Sequence, residues 1–181
     1  MDLYNKILDI SKEITIKYGL NNINMRLISK NCNISIGSIY NYFPSKSDLI
    51  VATIESIWED IFNIDTESFN FDNFIDCINW LFNTINENSV KYPDFFTLHY
   101  INLNSTQKIK GRKAMEYFLK NIKYKLLRIL EKDKNIKSSA FNDFLTPTIF
   151  IDYVFTLLIS LLIQKQNNCK PLLKFIENSI Y

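Results

Sequence analysis

The sequence predicts an all-α protein of about nine helices, because apolar residues recur every three or four positions along most of the chain. Its 181 residues include only three glycines and four prolines, so few turns are obligatory. A hydrophobic fraction of 47% and an aromatic fraction of 14% predict a packed core rather than a disordered chain. The expected architecture is an N-terminal three-helix helix-turn-helix domain followed by a C-terminal helical domain.

The N-terminal helices have recognisable ends. The first is predicted to run from Asp2 to Tyr18, and Gly19 supplies a residue that readily adopts the left-handed conformation found after helices. Asn24 is a candidate N-cap for the second helix. Pro44 is expected to end the third, because its ring disfavours helical conformation in the preceding residue.

Residues 25–44 have the pattern of a helix-turn-helix, whose second helix is shaped to lie in a DNA major groove. Ser29 is small enough to let two helices cross closely, and Asn33 tolerates a left-handed turn. The residues expected to face a shared core are Leu27, Ile28, Cys32, Ile34, Ile39, Tyr42 and Phe43. The residues expected to face outward are Ser35, Ile36, Gly37, Ser38, Tyr40 and Asn41.

A fourth helix is predicted to begin after Ser45, which together with Asp48 resembles a capping box, and to end near Asn63. Its expected inward residues are Leu49, Ile50, Ile54, Ile57, Trp58 and Ile61. Further helices are predicted at about 72–88, 93–103, 108–131, 141–166 and 171–180, and Pro147 is an alternative start for the penultimate one.

The run from Gly37 to Lys46, Gly-Ser-Ile-Tyr-Asn-Tyr-Phe-Pro-Ser-Lys, resembles the Gly-Thr-Leu-Tyr-x-Tyr-Phe-x-x-Lys signature of TetR-family transcriptional regulators. Tyr18-Gly19, Ile28-Ser29 and Asp48-Leu49 extend the resemblance to roughly residues 5–50. The chain departs from the family pattern at two positions. Asn33 replaces the family's turn glycine, and Ile36 stands where a polar residue is common.

The resemblance implies a DNA-binding domain at residues 1–47 and a ligand-binding and dimerisation domain at residues 48–181. Tyr40 and Lys46 would hold phosphates, Ile36 could touch a thymine methyl, and Asn41 could bond a base or a phosphate. The full set of predicted DNA contacts is Asn24, Arg26, Ser35, Ile36, Gly37, Ser38, Tyr40, Asn41 and Lys46.

The charge distribution agrees with that assignment. Residues 1–47 carry six lysines and arginines against three acidic residues, whereas the remainder carries fifteen against sixteen. The positive excess therefore lies where a DNA duplex would bind. The excess is modest, so we expect one copy to bind DNA weakly and a dimer to double the contact.

The C-terminal part is rich in aromatic residues from several helices, as small-molecule pockets often are. The predicted ligand-pocket residues are Trp58, Phe62, Trp80, Phe96, His99, Tyr100, Tyr117, Asp152 and Tyr153. Asp152 lies in an apolar stretch and could pair with a cationic ligand, although an acid near a helix start is favourable without one. Equally, the aromatic residues could simply fill a helical core.

The segment from Pro147 to Ile163 is apolar on nearly every side, but it is shorter than the ~20 residues expected of a membrane helix. Together with the last helix it predicts a two-helix face that pairs with a second copy of the chain. The expected partners are a pseudo-palindromic double-stranded operator, a second copy and a small lipophilic or aromatic inducer, with no membrane.

Other function classes find little support in the sequence. A single histidine, no phosphate-binding glycine loop and no metal-ligand spacing predict a protein that is not an enzyme and has no cofactor. The three cysteines are far apart, which predicts reduced thiols and a cytoplasmic protein. The function implied by the resemblance is a dimeric repressor released from its operator by a ligand. The alternative is a regulator controlled by a protein partner or by no small molecule.

Overall fold

A computed structural model describes residues 2–62, 70–92 and 105–181, with the side chains of residues 105–115 excepted. The described residues form eight α-helices and one short 3-10 helix, Leu20–Asn22, with no strand among them. The α-helices are α1 (Leu3–Tyr18), α2 (Met25–Cys32), α3 (Ile36–Tyr42), α4 (Lys46–Phe62), α5 (Phe74–Ser89), α6 (Ser105–Lys132), α7 (Pro147–Ile163) and α8 (Lys170–Ile180). The predicted all-α class is confirmed, and the helix predicted at 93–103 lies outside the described residues.

The chain divides into two compact units, Met1–Ile61 with Ser89–Glu116 and Phe62–Asn88 with Tyr117–Tyr181. The predicted domain boundary after residue 47 falls inside the first of these units and stays a proposal. In the first unit α1, α2 and α3 enclose a core in which Ile7, Ile28 and Ile39 have no exposed surface. The six apolar residues of α4 that were expected to face inward are all buried.

The ends of α1 and α4 follow local chemistry that the sequence displays. Gly19 follows α1 with a φ of +84°, and its N–H donates to the carbonyl of Thr15 at 2.8 Å. At the start of α4, Ser45 Oγ accepts from the N–H of Asp48 at 3.2 Å and lies 2.7 Å from Asp48 Oδ2. The predicted cap at Ser45 is therefore confirmed, with the Asp48 carboxylate accepting from the Ser45 hydroxyl.

In the second unit, each helix buries one apolar stripe. The buried residues of α5 are Phe74, Cys77, Ile78, Leu81, Phe82 and Ile85, and those of α7 are Phe150, Ile151, Val154, Phe155, Leu158 and Leu162. Aromatic rings of different segments touch in this core: Phe74 and Phe150 are 6.3 Å apart between centroids, and Phe62 and Phe118 are 5.3 Å apart. Offset and edge-on ring pairs of this kind add to the stabilisation from burial.

The alternative start predicted for the penultimate helix, Pro147, is confirmed, and the start at residue 141 is wrong. The sequence pattern favoured a helix from residue 141, but α7 begins at Pro147. Thr146 is the N-cap, because its Oγ1 accepts from the N–H of Ile149 at 3.3 Å, and a proline in the first turn needs no hydrogen-bond donor. The preceding residues form a turn in which Asn142 Oδ1 accepts from the N–H groups of Phe144 and Leu145, both at 2.9 Å. The helix is followed by Lys165 in a left-handed conformation.

A buried carboxylate, Asp133, ties distant parts of the second unit together. Its Oδ2 accepts from the N–H of Phe74 at 2.9 Å and from the hydroxyl of Tyr181, and its Oδ1 accepts from the N–H of Asn135 at 3.0 Å. Burial raises the pKa of Asp133, but these hydrogen bonds outweigh it and hold the pKa below its ordinary value. The first N–H of α5 thus finds its partner at the end of α6.

We expect Asp133→Asn to lower the free energy of unfolding by about 2 kcal/mol at neutral pH, because hydrogen bonds to a charged group are lost or weakened. A carboxylate whose pKa is lowered by folding stabilises above its ordinary pKa and ceases to do so as the pH falls through the folded value. The difference between the two proteins should therefore shrink on acidification. Urea unfolding followed by tryptophan fluorescence measures both effects, with exposed Asp143→Asn as the control. An equal loss in the two variants would refute this role for Asp133.

Candidate nucleic-acid interface

The first helix of the helix-turn-helix, α2, has an asparagine cap at each end. Asn24 Oδ1 accepts from the N–H of Arg26 at 2.9 Å and so begins α2, which confirms the predicted N-cap. Asn33 ends α2 with a φ of +56°, a conformation that asparagine tolerates better than most residues. The N–H of Ile34 then donates to the carbonyl of Ser29 at 3.0 Å, which closes the turn.

The recognition helix α3 begins two residues after that turn. Ser35 is its N-cap, because its Oγ accepts from the N–H of Ser38 at 3.0 Å. The hydroxyls of Ser35 and Ser38 also lie 2.8 Å apart, so each serine that was predicted to contact DNA already has a partner within the helix. Such hydroxyls can still accept or donate a second hydrogen bond to a phosphate.

The two faces of α3 differ largely as the sequence predicted, but two residues expected in the core, Tyr42 and Leu27, are exposed. Ile39 and Phe43 are buried, whereas Gly37, Asn41 and Tyr40 are exposed, Tyr40 to 47%. Tyr42 was expected in the core but is 41% exposed, since the core stripe is formed by Ile39 and Phe43 and Tyr42 lies beside it. Leu27 is likewise 38% exposed, and Met25 takes a buried position that the prediction omitted.

Helix α1 contacts α2 and the end of α3 in ways that no local sequence pattern predicted. The ring of Tyr4 stacks on Phe43 at 5.1 Å between centroids and lies 6.3 Å from Tyr42. Lys6 Nζ donates to the carbonyl of Cys32 at 3.1 Å, where a cation complements the C-terminal end of the α2 dipole. These contacts were missed because the partners are separated by more than twenty residues in the chain.

The remaining predicted DNA contacts also lie at the surface. Asn24, Arg26 and Lys46 are exposed, and Ile36 is half-buried. Lys46 Nζ lies 3.4 Å from the carbonyl of Asn21, at the first turn of α4. The predicted contacts therefore occupy the α2 start, the α3 outer face and the α4 start, but their contact with DNA stays a prediction.

The comparison with known families decides what this arrangement is. Residues 7–53 match the family model described as bacterial regulatory proteins, tetR family. The chain carries a TetR-family helix-turn-helix domain. The match contains α2, α3 and the start of α4, which are the elements on which the sequence resemblance rested. A TetR-family domain of this kind belongs to a DNA-binding transcriptional regulator.

Solved structures share the fold over nearly the whole chain. The fatty acid degradation regulator FadR from Bacillus halodurans is 16% identical, with a TM-score of 0.68 over 98% of this chain and 94% of its own. A TetR transcriptional regulator from Legionella pneumophila is 20% identical, with a TM-score of 0.62 over 100% and 98%. A transcriptional regulator from Aquifex aeolicus is 19% identical, with a TM-score of 0.61 over 98% and 96%. At these identities the likeness shows the TetR-like fold alone. No curated protein matches the sequence.

The predicted ligand-pocket residues are scattered in their exposure. Trp58 and Phe62 are buried, and Trp80 is half-buried against Phe71, with ring centroids 5.4 Å apart. Tyr117 and Tyr153 are exposed to 70% and 59%. The predicted residues Phe96, His99 and Tyr100 lie outside the described residues. The pocket as a set therefore stays a prediction.

Asp152 differs from its expectation. The sequence suggested a carboxylate in apolar surroundings, but Asp152 Oδ1 lies 2.7 Å from Lys123 Nζ and half of its side chain is exposed. The lysine comes from α6, 29 residues away in the chain, so the pairing could not be read from local sequence. A cationic ligand is not needed to explain this carboxylate.

The three cysteines, Cys32, Cys77 and Cys169, are buried and form no disulfide. Burial raises the pKa of the Cys77 thiol to about 12, so at neutral pH it is a thiol and a poor nucleophile. Among the described residues, no group of histidine, cysteine and carboxylate side chains could hold a metal ion. No described helix is long and apolar enough to cross a membrane.

We expect Gly37→Ala to weaken DNA binding about tenfold while leaving the fold intact. A Cβ at Gly37 would meet only Ser35 Oγ, at 3.6 Å, and the backbone is not left-handed, so the fold does not require glycine there. Alanine should even favour the helix, by up to about 1 kcal/mol. Fluorescence anisotropy on operator DNA and a thermal melt measure the two effects.

The matched glycine control is Gly19→Ala, which should lower the stability of the fold without removing a contact to DNA. Gly19 has a φ of +84°, so a side chain there is strained and should lower the melting temperature. If Gly37→Ala binds operator DNA as tightly as the unmodified protein, the predicted close approach of the duplex at Gly37 is wrong.

Proposed function

We propose that the protein is a dimeric DNA-binding transcriptional repressor that a small lipophilic or aromatic molecule releases from its operator. The observation that supports this most strongly is the outer face of α3, where Gly37, Tyr40 and Asn41 are exposed within a TetR-family helix-turn-helix. An exposed glycine flanked by hydroxyl and amide groups suits close approach to a duplex. Repression is the behaviour that the family resemblance implies.

A dimer would supply the second recognition helix that a pseudo-palindromic operator requires, with half-sites about 34–36 Å apart. The surfaces of α7 and α8 support this proposal. Tyr153, Leu157, Ile163 and Phe175 are exposed to between 39% and 59% in the single chain. Large apolar side chains that are exposed on two helices commonly mark a protein interface.

Two observations bear on the ligand. The second unit has many aromatic side chains, and one protein of the same fold is described as a fatty acid degradation regulator. Both favour a lipophilic inducer. Against it, the aromatic pairs of this unit pack on one another, as Phe141 and Phe150 do at 5.7 Å, and Asp152 has its own cationic partner. These contacts favour the alternative, a regulator controlled by a protein partner or by no ligand.

One experiment tests the DNA and ligand parts of the proposal together. An operator is selected from randomised duplexes by the purified protein, and binding is followed by fluorescence anisotropy at two salt concentrations. We expect sequence preference to persist at physiological salt, and a medium-chain fatty acid or a planar aromatic compound to weaken binding. Preference lost with salt would contradict the regulator, since only the electrostatic contribution would then remain. Binding that no compound weakens would favour the alternative.

We expect Leu157→Glu to convert the dimer into monomers, because a charge would be buried at the centre of the proposed α7–α8 interface. Sedimentation equilibrium over a range of protein concentrations measures the dissociation constant. Ile16→Glu is the matched control, since Ile16 is exposed to 46% on α1 and Leu157 to 44% on α7. A dimer that survives Leu157→Glu would place the interface elsewhere.

A further inference from the structure

A polar cluster in the first unit joins three segments that are far apart in the chain. Lys12 on α1 lies 3.0 Å from Asp60 Oδ2 on α4 and 3.1 Å from Asp9 Oδ1 on its own helix. The hydroxyl of Tyr92, three residues beyond the end of α5, donates to the same Oδ2 of Asp60. One carboxylate oxygen therefore receives both a cation and a hydroxyl. We call these three residues, Lys12, Asp60 and Tyr92, the Asp60 junction.

Two of the three side chains of the Asp60 junction are largely buried. The Lys12 side chain is 14% exposed and Tyr92 is 7% exposed, while the Asp60 side chain is 39% exposed. Burial, then the hydrogen bond and charge of Asp60, raise the pKa of the Tyr92 hydroxyl, so it remains a donor at any physiological pH. A buried hydroxyl and a nearly buried ammonium group both need a partner, and Asp60 supplies it to both.

Helix α1, which carries Lys12, also contacts the two helices of the helix-turn-helix. From α1, Lys6 bonds the last turn of α2 through the Cys32 carbonyl, and Tyr4 stacks on Phe43 at the end of α3. Lys12 lies about two turns further along the same helix, where it is held by Asp60. Helix α1 therefore contacts a carboxylate of α4 as well as α2 and the end of α3.

We propose that Lys12, Asp60 and Tyr92 are positioning residues that hold α1 and the recognition helix in the orientation that an operator requires, with the Tyr92 hydroxyl as the releasable member. This inference rests on the proposed DNA-binding function and adds a control point to it. Lys12 and Asp60 form an ion pair between α1 and α4, whereas Tyr92 follows α5 in the chain. A shift of Tyr92 alone removes one of the two partners of Asp60 and loosens α1.

Tyr92→Phe tests the inference, because it keeps the buried ring and removes only the hydroxyl. The probes are the operator selected by the unmodified protein and the same duplex with one base pair inserted between its half-sites. If the recognition helices are held rigidly, the protein should bind the duplex with the inserted base pair much more weakly, because the insertion rotates and shifts one half-site relative to the other. We expect Tyr92→Phe to reduce that discrimination about fivefold or more, which is the usual lower range of coupling between sites. The melting temperature should change little.

Two further variants keep the test decisive. Asp60→Asn retains an acceptor for Tyr92 but removes the charge that holds Lys12, and it should also relax the spacing preference. Lys12→Met and Tyr92→Phe are also combined in one protein. The double variant should lose less spacing discrimination than the sum of the losses in the two single variants, because both side chains act through Asp60. Tyr124→Phe is the matched control, since Tyr124 is 60% exposed on α6 and outside the junction; it should leave the spacing preference unchanged.

The outcomes separate the inference from the function on which it rests. If the unmodified protein shows no sequence-specific binding, the proposed function fails and the inference fails with it. If the unmodified protein selects an operator and Tyr92→Phe keeps the same spacing preference, the inference alone is overturned. A variant that melts earlier yet discriminates like the unmodified protein assigns the junction a purely structural role, which also overturns it.

Discussion

The conformation of the turn between α2 and α3 determines how the helix-turn-helix is arranged. Asn33 adopts a left-handed conformation, and Ser35 caps the next helix only two residues later. The backbone conformations of these two residues therefore fix the direction of α3. A left-handed residue is costly for most side chains but tolerable for asparagine, which explains how the chain manages without a glycine here. Once this turn is set, Ile39 and Phe43 must point inward, and Gly37, Tyr40 and Asn41 must point outward.

Two carboxylates organise the remainder of the molecule in similar ways. Asp133 collects an N–H from the start of α5, an N–H from its own turn and the hydroxyl of Tyr181. Asp60 collects Lys12 and Tyr92 in the first unit. In each unit an acidic side chain serves as a common acceptor for segments that are distant in sequence. Hydrogen bonds to a charged acceptor are stronger than neutral ones, which suits them to fix the relative positions of whole helices.

The surface of the chain carries two kinds of information about function. Around α3, exposed polar side chains and a glycine without a structural requirement suggest a face that meets another molecule through close backbone approach. On α7 and α8, exposed apolar side chains suggest a face that is covered by protein. The first face belongs to a TetR-family domain, whereas the second is interpreted through its chemistry alone. Both faces are consistent with one molecule that dimerises and binds DNA.

The helical class, the helix-turn-helix and most helix ends could be predicted before folding was considered, because those features depend on residues within one or two turns of each other. The caps at Asn24 and Ser45 and the stops at Gly19 and Asn33 were all predicted from local chemistry and are confirmed. The exposure of Tyr42, the pairing of Lys123 with Asp152, and the meeting of Lys12, Asp60 and Tyr92 could not be predicted in this way. These outcomes depend on contacts between residues that are far apart in the chain. Local periodicity does not indicate which distant side chain will pack against a given residue.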